Sequence, residues 1–335
     1  MPFIKDPFTS TETGPLFLGR GLISHLSLSP DSSLLAGAGA YFVQIWDISS
    51  GKEVLLMNLK KTGKTIKDLA ISPNNKTLAL TNGGVNVGLW SLETGQFLKQ
   101  FKGHTNQVNT VSFNHDGKKI ITASHDGTSK VWNVETKKNL SSTKVKTYSA
   151  TYPSLDTNEE DSVQKFNFTA IFSAFVPNSS KALTTLNNGV IDLWNTETGD
   201  VLVSFKSKSE INEYASFSSD GTKVLFSENG SGKFTLWDIS SKKIKELNSF
   251  KVNYYNGKKS SYLSPDNQVA AIPSSETGKS LMFLDLKTNK VIDQLAEQDS
   301  DIKITTVSKK GKIVAAASHK VIKVWMNHPY LKPSK

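Results

Sequence analysis

Residues 103–132 read GHTNQVNTVSFNHDGKKIITASHDGTSKVW, and this stretch is the most informative in the chain. Two turn sequences divide it, Asn114-His115-Asp116-Gly117 and Ser124-His125-Asp126-Gly127, and it ends in the apolar pair Val131-Trp132. Asp-Gly pairs are typical of tight turns between antiparallel strands. The stretch therefore predicts three successive strands, the third of which ends near Trp132.

The tryptophan that closes this stretch recurs along the chain. The six tryptophans are separated by 44, 42, 62, 43 and 88 residues, and Leu284 divides the last interval into 47 and 41. Each anchor follows an apolar residue, a turn lies 16 to 19 residues upstream of each, and Ser or Thr stands four residues after six of them. The seven anchors are Trp46, Trp90, Trp132, Trp194, Trp237, Leu284 and Trp325.

A unit of this length predicts four strands, with the anchor in the third. Such a unit cannot bury both of its faces alone, whereas units stacked around an axis cover one another. We therefore predict an all-β fold, a seven-bladed β-propeller of four-stranded antiparallel blades. The long third interval indicates one insertion of about 20 residues.

The chain resembles the WD-repeat β-propeller family over about residues 14–327. The resemblance rests on the anchors, on the literal pairs Trp46-Asp47 and Trp237-Asp238, and on the third unit quoted above. It implies that four residues of that unit form a structural hydrogen-bonded tetrad: His104, Ser124, Asp126 and Trp132. Because Gly-His occurs only in this unit, we expect the complete network only in the third blade, without a catalytic role.

The two ends of the chain are predicted to close the ring together. Pro329 follows the last anchored strand and lacks the N–H that a ladder needs, so little room remains there for a fourth strand. Residues 14–19 match the outer-strand position and should pair with the last blade. The predicted organisation is a tail at 1–13, one propeller at 14–328 with an insertion at about 147–165, and a tail at 329–335.

The composition bears on the kinds of site the chain could hold. It has no Cys, and its six His show no i, i+4 pair, so we expect no metal site and no cofactor. The formal charge is +10, yet 39 of the 40 basic residues are Lys and only Arg20 is Arg. Proteins that read bases and phosphates favour Arg, so a nucleic-acid partner is not expected. No apolar stretch reaches the ~20 residues of a membrane span, so no integral membrane segment is expected.

The tryptophans are all assigned to the core, which leaves the tyrosines as aromatic contact residues. In the family that the chain resembles, the connections between blades and the turns before the anchored strands share one face, which commonly docks peptides. Tyr and Arg are enriched at interface hot spots. The candidate partner-binding residues on this face are Arg20, Tyr41, Tyr148, Tyr152, Asp156, Glu159, Glu160, Asp161, Tyr254 and Tyr255.

The predicted function is that of a non-catalytic scaffold, a monomeric unit that binds a protein or peptide partner within a complex in the cytoplasm. The strings at 62–65 and 277–280 lack the first glycine of a phosphate loop, and no other catalytic motif is found. The main alternative is an enzyme with a loop-built active site at the central channel. A propeller that binds phosphoinositides or nucleic acid is the less favoured alternative.

Overall fold

Seven four-stranded antiparallel sheets make up the computed structural model of the chain, as the sequence predicts. No α-helix occurs among the residues that it describes, and so no helix there is long and apolar enough to cross a membrane. The described residues are 11–17, 22–60, 63, 65–144, 147–152, 162–207, 215–227, 234–241, 243–247, 261–264, 266–273, 280–295, 302, 304–308, 313–318 and 321–326.

The first six blades each use four consecutive strands in chain order, from the inner strand to the outer one. Blades 1 to 3 consist of β2 (His25–Leu28), β3 (Leu34–Ala38), β4 (Phe42–Asp47) and β5 (Glu53–Asn58); β6 (Asp68–Ile71), β7 (Thr77–Thr81), β8 (Val87–Ser91) and β9 (Phe97–Phe101); and β10 (Val108–Phe113), β11 (Lys119–Ser124), β12 (Ser129–Asn133) and β13 (Asn139–Ser142). Blades 4 to 6 consist of β16 (Ala170–Phe175), β17 (Lys181–Leu186), β18 (Val190–Asn195) and β19 (Val201–Lys206); β20 (Ala215–Phe217), β21 (Lys223–Ser227), β22 (Phe234–Asp238) and β23 (Lys243–Glu246); and β24 (Tyr262–Leu263), β25 (Val269–Pro273), β26 (Leu281–Asp285) and β27 (Lys290–Gln294).

The seventh blade is completed by the start of the chain. It contains β28 (Ile304–Val307), β29 (Ile313–Ala317) and β30 (Val321–Met326), and β1 (Thr11–Phe17) pairs antiparallel with β30 as the outer strand. The register shifts between Thr13 and Leu16, where Pro15 stands, because proline cannot donate a ladder hydrogen bond. The predicted closure is therefore confirmed, although β1 begins three residues before the predicted residue 14.

The insertion after the third blade folds as a separate hairpin. β14 (Thr147–Tyr152) and β15 (Ser162–Asn167) pair antiparallel, from Thr147 opposite Asn167 to Tyr152 opposite Ser162. Its two strands form a sheet that is separate from the seven four-stranded sheets. The tip, residues 153–161, lies outside the described residues.

The hydrophobic core lies between neighbouring blades. The anchors of six blades occur in clusters that also contain residues of the preceding blade: Trp46, Trp132, Trp194, Trp237, Leu284 and Trp325. Trp132 of blade 3, for example, packs with Leu89 of blade 2, and Trp46 of blade 1 packs with Ile313 of blade 7. Each buried indole removes roughly 150–250 Å² from water, worth at most about 4–6 kcal/mol. Stacking of blades thus supplies the burial that a single sheet lacks.

Polar contacts add to this stacking at the turns between the first and second strands. Asn75 and Asn267 occupy left-handed positions there, with φ of 56° and 60°. Asn75 Nδ2 donates to Asp31 Oδ2 of the preceding blade at 2.7 Å, and Asn267 Nδ2 donates to Asp220 Oδ2 of its preceding blade at 2.8 Å. These hydrogen bonds link blades 1 and 2 and blades 5 and 6.

Candidate interaction surface

The connections between blades and the turns before the anchored strands lie on the same face of the propeller. Leu59 N–H donates to Tyr41 O at 2.7 Å, and Ile66 N–H donates to Ala40 O at 3.0 Å, so the connection from blade 1 to blade 2 is bonded to the turn at residues 39–41. The next connection repeats the pattern, with Val108 N–H donating to the carbonyl of residue 84 at 2.9 Å. We call this side the loop face and the opposite side, where the other turns lie, the turn face.

A cavity of about 680 Å³ opens on the loop face at blade 1. Its apolar lining includes Leu22, Tyr41, Leu56 and Ile66. Leu22 is 58% exposed and Tyr41 is 39% exposed, whereas Ile66 is buried at its base. Exposed apolar side chains beside a concave surface are typical of a binding site.

A second cavity of about 390 Å³ adjoins the first at blade 2. Ile66 lines both cavities, and Val85, Trp90 and Phe97 line the second one. Val85 is 41% exposed, and the rings of Trp90 and Phe97 meet edge to face with centroids 5.2 Å apart. We call the two cavities together the loop-face groove.

Trp90 departs from the expectation that all six tryptophans belong to the buried scaffold. The other five are buried, whereas Trp90 is half-buried: it packs against the core between blades 1 and 2 and also lines the groove. Two residues before it stands Gly88, and a Cβ there would lie 2.9 Å from Trp90 Nε1. The indole therefore lies in the space that the absent side chain leaves open. The glycine is the sequence signal that could have indicated this placement.

The described lining of the groove contains few charged groups. Lys60 is the one charged side chain among the described residues that line either cavity. Asn58 Oδ1 accepts the Lys60 backbone N–H at 3.0 Å, which fixes the start of the connection between the blades. The described residues contain no group of three or more His, Asp or Glu that could hold a metal ion.

The third blade contains the polar network that the sequence indicates, with one change of residue. His104 Nδ1 lies 2.7 Å from Asp126 Oδ2, and His104 Nε2 lies 2.7 Å from Thr122 Oγ1. Trp132 Nε1 donates to the same Thr122 hydroxyl at 2.9 Å. A chain in which Trp132 donates to Thr122, Thr122 to His104 Nε2, and His104 Nδ1–H to Asp126 satisfies each of these groups.

Ser124 does not join His104 to Trp132, which corrects the predicted tetrad. Its hydroxyl donates to Asn106 O at 3.0 Å and accepts Asp126 N–H at 3.1 Å. Side chains two apart share one face of a strand, so Thr122 and Ser124 both point into the blade. Thr122 lies within hydrogen-bond distance of the Trp132 indole. Ser124 is the last residue of β11 and bonds to Asn106 and to the N–H of Asp126 in the following turn.

Asp126 is the acidic end of this network. Burial alone would raise the pKa of its carboxyl group, but hydrogen bonds from His104, from the Thr128 hydroxyl and from the Thr105 N–H outweigh burial. Together they hold the Asp126 pKa well below its usual range. The ionised carboxylate therefore accepts hydrogen bonds from His104 and Thr105 in the connection and from Thr128 in the turn, which holds the two segments together.

The fourth blade has a related network that the sequence analysis missed. Trp194 Nε1 donates to Thr184 Oγ1 at 2.9 Å, and that hydroxyl donates to Ser129 Oγ of blade 3 at 2.8 Å. Both Thr122 and Thr184 stand ten residues before their tryptophan, which is the signal that could have found them. In blade 4 the hydroxyl that accepts the tryptophan N–H donates to Ser129 of blade 3. In blade 3 the corresponding hydroxyl, that of Thr122, is bonded to His104.

Comparison with known proteins agrees with this architecture. A family model described as "WD domain, G-beta repeat" matches residues 95–133, which include the blade 3 network and Trp132. The target of rapamycin complex subunit wat1 of Schizosaccharomyces pombe is 34% identical over 109 residues, which cover 31% of this chain and 34% of that protein. The match thus spans about a third of the relative's length. The matched repeat and the seven four-stranded blades together support a WD-repeat β-propeller.

The predicted partner-binding residues have different outcomes in the structure. Tyr41 lines the loop-face groove. Tyr148 and Tyr152 belong to β14, whose side chains lie outside the described set. Leu22, Val85 and Phe97 of the groove were not among the predicted contact residues, because single apolar residues in loops or at a strand end carry no periodic signal, and Trp90 was assigned to the scaffold as a blade anchor. The remaining candidates lie outside the described residues: Arg20, Asp156, Glu159, Glu160, Asp161, Tyr254 and Tyr255.

Proposed function

We propose that this WD-repeat propeller is a non-catalytic interaction scaffold that holds a peptide or protein segment in the loop-face groove. The observation that carries the proposal is the juxtaposition of exposed Leu22, Tyr41 and Val85 with two adjoining cavities on one face. Large apolar side chains at such exposure lose water contact when a partner covers them, which is the main source of affinity at hot spots.

The backbone around the groove is held in place before any partner arrives. Tyr41 O and Ala40 O both accept hydrogen bonds from the connection between the blades, and Ser24 N–H donates to Ala38 O at 2.8 Å. A preorganised site loses less conformational entropy on binding than a loop that must order itself. Rigidity of this kind suits recognition, and we assign the protein no catalytic turnover.

The relative supports a role within an assembly. Wat1 is named as a subunit of a target of rapamycin complex. We infer that this chain likewise works as one propeller inside an intracellular complex of proteins, with the propeller at 14–328 as its structural unit. We further propose that the hairpin at 147–165, with Tyr148 and Tyr152, contributes a second contact on the loop face.

Site-specific photo-crosslinking of the full chain tests the proposed face. A photoreactive phenylalanine analogue replaces Tyr41 or Val85 on the loop face, and Glu93 or Asp200 on the turn face, where both are exposed. We expect a protein partner to crosslink from positions 41 and 85 and not from 93 and 200. Crosslinks from the turn face alone would show that the scaffold binds elsewhere.

A further inference from the structure

The connection that borders the groove is strongly basic. Residues 59–67 contain four lysines, Lys60, Lys61, Lys64 and Lys67, and no acid. Of these, Lys60 is exposed and lines the blade 1 cavity. On the same face, burial and then the positive charge of Lys67 lower the pKa of His125. The described lining of the groove therefore carries one exposed lysine and no carboxylate.

The interior of the groove favours apolar anchors. The blade 1 cavity offers Tyr41 and Leu56, and the blade 2 cavity offers Val85, Trp90 and Phe97 as walls. Both volumes fall within the range of sites that enclose bulky groups. A flexible charged chain alone would leave these walls in water, so a fitting partner must bring large apolar side chains as well as negative charge.

Side-chain amides complete the lining. Asn58 lies at the blade 1 cavity, and Asn82, Asn86 and Gln100 lie at the blade 2 cavity. An amide group carries both donors and an acceptor, so it can hydrogen-bond the N–H and C=O groups of an extended backbone. Such groups favour a polypeptide over a simple polyanion.

We propose that the loop-face groove selects an extended protein segment in which bulky apolar residues are flanked by Asp or Glu. The inference rests on the proposed function and adds the chemistry of the partner. The apolar residues would fill the two cavities, and an acidic residue of the segment would face Lys60, the charged side chain of the described lining. A nucleic acid fits less well, because the chain has a single Arg and the groove walls are apolar.

Selection from a random 12-residue peptide library displayed on phage, with the full chain as bait, reads this chemistry directly. We expect the enriched peptides to share one or two bulky apolar residues with Asp or Glu nearby. Synthetic versions should lose about tenfold or more in affinity with the Tyr41→Ala/Val85→Ser variant. They should lose about 2- to 5-fold with Lys60→Glu, a loss that shrinks as salt rises.

The matched controls are Val201→Ser and Lys243→Glu, which alter exposed residues of the outer strands of blades 4 and 5 and should leave affinity unchanged. Melting curves verify that each variant is folded. Enrichment of neutral or basic peptides, or no effect of the groove variants, overturns the proposal. Tighter binding of a single-stranded DNA oligomer or of phosphoinositide vesicles than of every enriched peptide also overturns it. The proposed function would survive these outcomes if the partner still crosslinks from the loop face.

Discussion

The Thr122 hydroxyl is the junction of the blade 3 network, and Thr122→Val removes it without changing the shape of the side chain. Two buried groups then lose their partner: Trp132 Nε1, on a side chain that is 1% exposed, and His104 Nε2. Leaving a buried polar group unsatisfied costs about 1–3 kcal/mol. The added methyl group of valine recovers roughly 0.8 kcal/mol of apolar burial. We therefore expect the free energy of unfolding to fall by about 1–5 kcal/mol.

Urea-induced unfolding, followed by tryptophan fluorescence, measures this change. The matched control is Thr136→Val in the same blade, where the threonine is exposed and the substitution should cost no more than about 0.5 kcal/mol. Ser124→Ala is the informative comparison, because it removes the bonds to Asn106 and Asp126 and leaves the indole bonded. A Thr122→Val loss below about 0.5 kcal/mol would refute the assignment of Thr122 as the junction.

Three further perturbations test other parts of the structure. Burial would raise the pKa of Asp220, but hydrogen bonds from Ser218, Thr222 and Asn267 lower it to about 2. The stabilising effect of the Asp220 carboxylate is therefore present above about pH 4 and is lost as the pH falls toward 2. Asp220→Asn should flatten the dependence of stability on pH in that window, and an unchanged profile would contradict the assignment. Gly88→Ala should displace the Trp90 indole and shift its fluorescence emission, with Trp90→Phe in the same background as the control that removes the shift. Deletion of residues 1–20 removes the outer strand of blade 7 and should lower the melting temperature sharply; an unchanged melting temperature would exclude this closure.

The blade pattern was predictable because it is periodic. The anchors follow one another at 41 to 47 residues once the insertion is set aside, and each marks a strand that packs on the preceding blade. Because the same strand and turn pattern recurs in seven units, the fold can be read from any of several of them. The closure by β1 was predictable because Pro329 cannot donate a ladder hydrogen bond after the last anchored strand, which left the last blade one strand short.

Details that depend on neighbouring side chains were less predictable. Thr122 and Ser124 offer the same hydroxyl on the same face, and only the position of the indole selects one of them. The placement of Trp90 depends on an absent Cβ at Gly88, two residues away on the same strand. Leu22 and Val85 belong to loops that the fold brings to one face from 63 residues apart in the chain, and no local pattern marks them.

The affinity of the native partner for a groove variant tests the central claim most directly. Once crosslinking has identified the partner, its dissociation constant is measured with the intact chain, with Tyr41→Ala/Val85→Ser, and with Val201→Ser/Ile244→Ser on the outer strands of blades 4 and 5. We predict a loss of about tenfold or more for the groove variant alone, with all three proteins melting at the same temperature. Equal affinity of the groove variant and the intact chain would contradict the assignment of the loop-face groove as the interaction surface.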